Sequence, residues 1–146
     1  MRYVKPSTGT RLFNLVFMLL ARLGVSVYGS RTLAVRGRNT GAWQTVPVNI
    51  LEHDGARYLV APRGTTQWVR NVRASGGGEL RLGATREAFR VHEVDDAQKP
   101  MLLRAYLRRW GFEVKAFFPG LAPDSSDEEF RRVARDYPVF RITTAS

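Results

Sequence analysis

Runs of alternating apolar and polar residues predict six short β-strands. Leu33 and Val35 alternate with small or polar neighbours, and Val46 and Val48 do the same in the next run, as strands with one buried face do. The six runs span residues 31–36, 44–52, 58–60, 80–82, 89–94 and 137–142. Pro47 interrupts the second run, and because proline has no N–H to donate, we expect it at a strand edge or a bulge.

A period of three to four residues predicts helices over residues 10–23, about 66–74, 98–110 and 127–135. We expect the three glycines at 76–78 to end the second helix. The aromatic stretch 111–123 is expected to be a loop that forms a lid or pocket wall, or that plugs a barrel. Because the strands follow each other through short connections, the pattern favours an α+β, mainly β fold: a mostly antiparallel barrel or curved sheet with peripheral helices.

The chain of 146 residues fits a single domain overall. Within it we expect an N-terminal segment, residues 1–29, that carries an apolar helix, and a barrel domain, residues 30–146. The apolar helix is shorter than the roughly 20 residues that span a bilayer. It either packs on the barrel or contacts a membrane surface through residues 11–23. We expect a cytoplasmic protein, because the sequence after the helix is a poor signal-peptide cleavage site.

Residue composition narrows the chemistry. The sequence contains no cysteine and only two histidines, His53 and His92. It therefore has no disulfide and no cysteine nucleophile, and we expect no metal site. Since no nucleophile or pair of carboxylates stands in a recognisable motif, the catalytic residues stay unassigned.

The net charge of +10 comes entirely from the first part of the chain. Residues 1–92 hold 14 lysines and arginines against 4 acidic residues, whereas residues 93–146 hold 9 of each. This asymmetry favours an anionic partner: a phosphorylated cofactor, a polyanion or an anionic membrane surface.

Two loops in this basic part have the composition of anion-binding sites. Residues 37–41 join the first two strands and place Arg38 between glycines, whose backbone can turn tightly and expose N–H groups. A plain hairpin loop has the same composition and is an equal alternative. Residues 63–65 precede a helix, where free N–H groups and the helix dipole attract anions.

Five motifs follow each other between residues 33 and 75. They are Gly-Arg-Asn-Thr-Gly at 37–41, Val-Pro-Val at 46–48, Tyr-Leu-Val-Ala at 58–61, Arg-Gly at 63–64 and Trp-Val-Arg-Asn-Val-Arg-Ala at 68–74. Their order and spacing resemble the deazaflavin-dependent nitroreductase and quinone reductase family of actinobacteria. The resemblance implies a six-stranded, mostly antiparallel split β-barrel, the fold of the flavin and deazaflavin oxidoreductases.

In that family the two loops hold the phosphate and acidic tail of coenzyme F(420), a deazaflavin that donates hydride. FMN or FAD is the less favoured cofactor. Carried over by position, the resemblance implies these cofactor-binding residues: Arg38, Asn39, Thr40, Gly41, Pro47, Arg63, Gly64, Thr65, Trp68 and Asn71. Four aromatic residues are candidates for the wall of a substrate pocket: Tyr106, Trp110, Phe112 and Phe117.

The leading hypothesis is therefore an oxidoreductase that passes hydride from reduced F(420) to an electron-poor small molecule, such as a quinone, an enone or a nitro compound. The alternative is a non-catalytic split barrel that binds a lipid, haem or another apolar ligand at a membrane surface. A nucleic-acid-binding barrel ranks last, because the basic residues are dispersed and no recognition module is present. A homodimer is a further expectation, since related flavin proteins often complete their pockets across a subunit interface.

Overall fold

The computed structural model describes residues 30–145, and six β-strands lie within them. They are β1 (Ser30–Arg36), β2 (Trp43–His53), β3 (Ala56–Val60), β4 (Gly77–Leu82), β5 (Thr85–Glu93) and β6 (Val139–Thr144). Each corresponds to one of the six predicted runs, so the strand prediction is confirmed. The helix predicted over residues 10–23 lies outside the described residues.

All strand pairs are antiparallel, and the sheet closes into a barrel in the order β1-β2-β3-β6-β5-β4. This confirms the antiparallel barrel that the pattern predicted. β1 pairs with β2 along its whole length, whereas β3 pairs with β2 only from Ile50 onward. Pro47 therefore lies where β2 has a neighbour on one side only, as expected for a residue that cannot donate to a ladder.

Three α-helices lie within the described residues: α1 (Gln67–Ser75), α2 (Lys99–Val114) and α3 (Asp127–Val133). Short 3₁₀ turns occupy Asp96–Gln98, Lys115–Phe117 and Ala134–Asp136. Ser126 caps α3 and forms a capping box with Glu129, which satisfies two N–H groups at the helix start. No helix in residues 30–145 has the length and apolar character needed to cross a membrane.

The apolar residues form two cores. The first fills the barrel and is covered by α1; its members include Leu33, Val35, Leu59, Val69, Val72, Phe89 and Phe140. The second lies outside the barrel, beneath α2 and α3; its members include Leu51, Val60, Leu103, Tyr106, Trp110, Phe130 and Val139. Alternate residues of β3 and β6 thus serve the two cores in turn, because successive side chains of a strand point to opposite faces.

The three glycines at 76–78, predicted to end the second helix, have a second role. Gly76 does terminate α1 in a left-handed conformation, but Gly77 and Gly78 open β4. A Cβ on Gly77 would lie 2.1 Å from the carbonyl O of Phe89, and one on Gly78 would lie 2.4 Å from that of Ala34. The glycines are needed because the neighbouring strands approach too closely for any side chain.

The expected loop at 111–123 was wrong over its first four residues. α2 continues through Gly111 to Val114, and the Lys115–Phe117 turn follows. Val114 is buried in the second core one turn after Trp110, so its packing prolongs the helix past a glycine that costs only about 1 kcal/mol.

The antiparallel order places both basic loops at the same end of the barrel, which we call the loop end. β1 runs toward it, residues 37–42 turn the chain into β2, and β3 returns to it before α1 begins. The opposite end, which we call the far end, contains the turns at 54–55 and 83–84 and the last residues of β6.

Candidate functional site

The loop between β1 and β2 is closed by its own hydrogen bonds. The N–H of Gly37 donates to the carbonyl O of Ala42, and the N–H of Gly41 donates to the carbonyl O of Gly37, both at 2.8 Å. Gly41 has φ +75°, which glycine adopts without the steric penalty of a Cβ. The loop tip, residues 38–40, is held exposed at the end of the barrel.

Asn71 of α1 attaches this loop to the helix. Its side chain is 2% exposed, and its Oδ1 accepts the backbone N–H of Arg38 at 3.1 Å and the Arg38 Nη1 at 2.8 Å. Its Nδ2 donates to Gln44 Oε1 of β2 at 3.1 Å. Gln67, one turn earlier in α1, accepts a further bond from Arg38 Nη1 at 2.9 Å. The guanidinium of Arg38 is thereby fixed beside the first turn of α1.

The start of α1 lacks a side-chain cap. Thr66 occupies the N-cap position without a cap hydrogen bond, and its Oγ1 is a buried oxygen with no hydrogen-bond partner among the described residues. The first N–H groups of a helix have no partner within it and carry the positive end of its dipole. Together with Arg38, the helix start supplies both the donors and the charge that bind an anion.

The charge of Arg38 is not neutralised by a carboxylate. In the part of the chain that the structure describes, no acidic side chain forms an ion pair with it, and its acceptors are the neutral amide oxygens of Gln67 and Asn71. The sequence accounts for this, because neither residues 31–51 nor residues 55–78 contain an aspartate or glutamate. The loop end therefore keeps a positive potential.

Arg63, the cation predicted for the second loop, lies over the ring of Phe117, with 5.0 Å between its guanidinium carbon and the ring centroid. Phe117 belongs to the turn after α2, so the structure joins one predicted cofactor-binding residue to one predicted wall residue. Gly64 has φ +81° and turns the chain toward α1, with Thr65 between it and the N-cap. Trp68 packs toward the barrel core, its ring 6.0 Å from that of Phe140.

The remaining predicted wall residues differ in their exposure. Tyr106 and Trp110 are each 1% exposed in the core beneath α2, and Trp110 Nε1 donates to the carbonyl O of Ile50 at 3.0 Å. Phe112 is 64% exposed. Their assignment to a pocket wall stays a prediction.

A half-buried carboxyl group lies beside this core. Glu113 Oε2 accepts a hydrogen bond from Asn49 Nδ2 at 3.1 Å. Burial raises the pKa of Glu113, against a smaller lowering by the Asn49 bond. Burial, with the nearby charge of Glu113, also raises the pKa of Tyr106.

Two residues of the site, Gln44 and Gln67, were missed by sequence reasoning. Gln67 precedes Asn71 by four positions, which places both on one face of α1, and that spacing was a usable signal. Gln44 gave no such signal, because its contact with Asn71 joins residues 27 positions apart.

Solved structures share this fold at low sequence identity. An F(420)-H(2) dependent reductase, FDR-A, matches with a TM-score of 0.53 and 16% identity over 79% of this chain and 94% of that chain. A protein described as a domain-swapped dimer matches with a TM-score of 0.58 and 16% identity over 95% of this chain and 100% of that one. A haem-binding protein from Mycobacterium smegmatis matches with a TM-score of 0.51 and 13% identity over 97% of this chain and 52% of that one.

At these identities the likeness establishes the split-barrel fold and nothing more. No curated protein matches the sequence. The family model of the F(420)H(2)-dependent quinone reductases matches residues 18–116, more than half of the chain. This span includes both basic loops, β1 to β5, α1 and α2. The chain therefore belongs to the F(420)H(2)-dependent quinone reductase family and is an oxidoreductase.

Proposed function

We propose that this protein transfers hydride from reduced coenzyme F(420) to an electron-poor small molecule, such as a quinone, an enone or a nitro compound. One structural observation carries the cofactor assignment. The guanidinium of Arg38 is fixed beside the uncapped start of α1 by two neutral amides. A cation beside the free N–H groups of a helix start is an arrangement that binds phosphate.

The residues at the loop end suit the phosphodiester of F(420). A phosphate oxygen needs several donors that converge, and it gains most from donors that carry charge. The first N–H groups of α1, the unpartnered hydroxyl of Thr66 and the guanidinium of Arg38 provide them. The sequence contains no dinucleotide-binding motif of the G-x-G-x-x-G type.

Each part of the chain has a separate task in this proposal. The deazaflavin, when bound, supplies the hydride. Arg38, Arg63 and the start of α1 hold its anionic part, while the tight loop at 37–42 fixes where that part lies. Asn71 holds the loop against α1. The groups that bind the cofactor are therefore already in position in the unbound protein. The aromatic residues after α2, with Phe117 nearest the site, are proposed to exclude water from the acceptor.

The assembly state belongs to the same proposal. We expect a homodimer, because a structure with the same fold is described as a domain-swapped dimer. Light scattering of the purified protein measures its mass directly, and a monomer at micromolar concentration would contradict this part alone.

Binding measurements test the cofactor. Isothermal titration with oxidised and reduced F(420), FMN and FAD should show a preference for the deazaflavin. Arg38→Ala or Arg63→Ala should weaken binding by about 1–3 kcal/mol, the range for a charge-assisted hydrogen bond, with an unchanged melting temperature. Arg131→Ala, which removes an exposed arginine of α3, is the matched control and should bind as the parent does.

The result that defeats the proposal is a folded protein that binds no deazaflavin. If such a protein carries lipid or haem through purification, as native mass spectrometry would detect, it is a binding barrel instead. Once binding is shown, anaerobic oxidation of reduced F(420) by a quinone, an enone and a nitroarene separates the acceptor classes.

A further inference from the structure

One edge of β2 is open. β2 pairs with β1 through Asn49 and with β3 only from Ile50 onward, so within residues 30–145 no strand pairs with the stretch 43–49 on the side of β3. We call this side the open edge. After β3 the chain does not continue along it, but turns at Gly64, with φ +81°, into α1. The open edge therefore lies between β2 and the second basic loop.

The end of α2 joins the two sides of the open edge. Asn49 Nδ2 of β2 donates to Glu113 Oε2 at 3.1 Å, and the guanidinium carbon of Arg63 lies 5.0 Å from the ring centroid of Phe117. Glu113 and Phe117 are four positions apart, which is about one helical turn. The hydroxyl of Tyr137 donates to the carbonyl O of Phe117 and holds this turn in place. Glu113 thus lies beside the open edge, next to the aromatic wall.

Asn49 also shares a face of β2 with Pro47, one of the predicted cofactor-binding residues. The two residues are two positions apart, so their side chains point to the same face, whereas Val46 and Val48 pack toward the barrel core. Glu113 is therefore on the side of β2 where the proposed function places the deazaflavin.

The charged groups around Glu113 do not form an ion pair with it in the part of the chain that the structure describes. Arg109, one turn earlier in α2, and Arg63, across the open edge, each lie over an aromatic ring. Lys115, two positions later, is exposed. The group that β2 presents is the neutral amide of Asn49.

Glu113 keeps a proton more readily than an exposed carboxyl group does. Burial raises its pKa, and the bond from Asn49 opposes this only in part. Tyr106, the other acid bonded to Asn49, is 1% exposed, and burial raises its pKa as well, so it is shielded from any acceptor. A half-buried carboxyl group that retains its proton has the properties of a general acid.

Building on the proposed function, we propose that the Glu113 carboxyl donates the proton that the acceptor requires when it takes up hydride. The hydride forms a C–H bond at one end of a conjugated carbonyl acceptor, and the electron pair of the acceptor moves to its carbonyl oxygen. This oxygen takes the proton as the O–H bond of Glu113 breaks, which gives a neutral enol. The Glu113 carboxylate regains a proton from solvent, and the oxidised cofactor returns one to it.

Two kinds of acceptor separate proton delivery from hydride transfer. Cyclohexenone and menadione each take up a hydride and a proton, whereas the N-methylphenazinium cation becomes neutral on taking up hydride alone. Glu113→Gln should reduce the carbonyl compounds roughly 100-fold more slowly, as for the loss of a positioned general acid, and the phenazinium cation within about threefold of the parent rate. Glu128→Gln, which removes an exposed carboxyl group of α3, is the matched control and should leave both rates unchanged.

The pH profile distinguishes proton delivery from a structural role. In the parent, reduction of the carbonyl compounds should slow as pH rises through the Glu113 pKa, because the carboxylate has no proton to give. Glu113→Gln should lack this dependence. Glu113→Asp keeps a carboxyl group and should recover part of the rate together with the pH dependence.

Two measurements do not depend on turnover. Carbon-13 NMR of the glutamate carboxyl groups gives the pKa in the protein without cofactor, with the Glu113 signal assigned by its loss in Glu113→Gln; Glu113 should titrate at higher pH than Glu128. Calorimetry should show that Glu113→Gln binds F(420) within about threefold of the parent affinity, and a thermal melt of each variant verifies folding.

The negative outcomes are distinguishable. The role of Glu113 is overturned, and the proposed function stands, if Glu113→Gln changes the rates of both kinds of acceptor equally, or if Glu113 titrates with Glu128. A parent that reduces the phenazinium cation but neither carbonyl compound also overturns it. If the parent binds no deazaflavin, the proposed function falls, and the role of Glu113 falls with it.

Discussion

The two ends of the barrel hold an arginine in opposite ways. At the loop end, Arg38 bonds to the neutral oxygens of Asn71 and Gln67. At the far end, Arg57 makes a double hydrogen bond with Glu87, at 2.8 Å for its Nη1 and Oε1, and the hydroxyl of Thr144 donates to the same carboxylate at 3.2 Å. The first arginine is oriented but keeps its charge, and the second is neutralised.

This difference separates binding from stability. An arginine held by amides has a defined position and still attracts an anion, because no carboxylate competes for it. An arginine held by a carboxylate contributes to the stability of the fold, but its charge is compensated and it attracts a further anion only weakly. The hydrogen bonds from Arg57 lower the pKa of Glu87, and those to Glu87 raise the pKa of Arg57, as expected for a pair stabilised in its charged form.

The largest effect is expected at Asn71, whose side chain joins the β1–β2 loop and β2 to α1. Asn71→Ala leaves the Arg38 N–H and the Gln44 side chain without their partner, so the free energy of unfolding should fall by about 1–3 kcal/mol. Deazaflavin affinity should fall more than tenfold at temperatures where the variant remains folded, because the loop loses its attachment to α1. Denaturant unfolding and titration calorimetry measure the two effects.

Asn71→Asp is the informative companion. The carboxylate can still accept from Arg38, and Gln44 can rotate its amide to donate, so the fold should be kept. Arg38 is then neutralised as Arg57 is, and affinity for F(420) should be lost. If the Asn71→Asp protein binds F(420) as tightly as the parent, the idea that the uncompensated charge matters is refuted.

The next effect compares the two arginines directly. Arg57→Gln should lower the free energy of unfolding by about 1–2 kcal/mol, a range reduced for a pair whose side chains are about one third exposed, and should not change cofactor affinity. Arg38→Gln should weaken cofactor binding and leave unfolding within about 0.5 kcal/mol of the parent. The proposed difference between the two arginines is refuted if both variants lose stability and neither loses affinity for the cofactor.

Sequence patterns were enough for the barrel and for the position of the two basic loops. Alternation in β1 and β2 and the Asp54-Gly55 turn, where both residues have positive φ, are local signals. The order of hairpins then places both loops at one end. Local signals could not predict contacts between distant residues. Examples are the burial of Asn71 against Gln44 and the stacking of Trp43 with arginines of two other strands. A third is the close approach of neighbouring strands at Gly77 and Gly78, which begin β4.

The aromatic stripe of α2 shows the same limit. Tyr106 and Trp110 have the spacing of a helix face in either interpretation, core or pocket wall. Only the packing of α2 on β2 decides that these rings are buried in this structure.

A smaller effect is expected at Thr66, where stability and binding should change in opposite directions. Thr66→Asp can accept the N–H groups at the start of α1 and should raise the free energy of unfolding by about 0.5–1 kcal/mol. The same carboxylate occupies the anion site and should weaken F(420) binding. Thr66→Ser, a cap without charge, is the matched control and should weaken binding less. Equal binding by all three proteins would show that no anion docks at this helix start.

The smallest effect concerns Glu113, which like Arg38 faces a neutral amide instead of an opposite charge. Burial raises its pKa in the folded state, so the folded protein holds this proton more tightly than the unfolded chain does. Its contribution to stability is present below the unfolded pKa and is lost as pH rises through the folded pKa. Glu113→Gln keeps the bond from Asn49 and removes the titration. The free energy of unfolding of the variant should therefore rise relative to that of the parent as pH rises through this window.

Glu87 has a pKa shift of the opposite sign. Its pKa is lowered in the folded state, so its contribution to stability is lost as pH falls through the folded pKa. The deficit of Glu87→Gln relative to the parent should therefore shrink toward acid pH. Urea unfolding across the acid range measures both differences, and a Glu113→Gln difference that does not change with pH would show that this carboxyl titrates alike in the folded and unfolded chains.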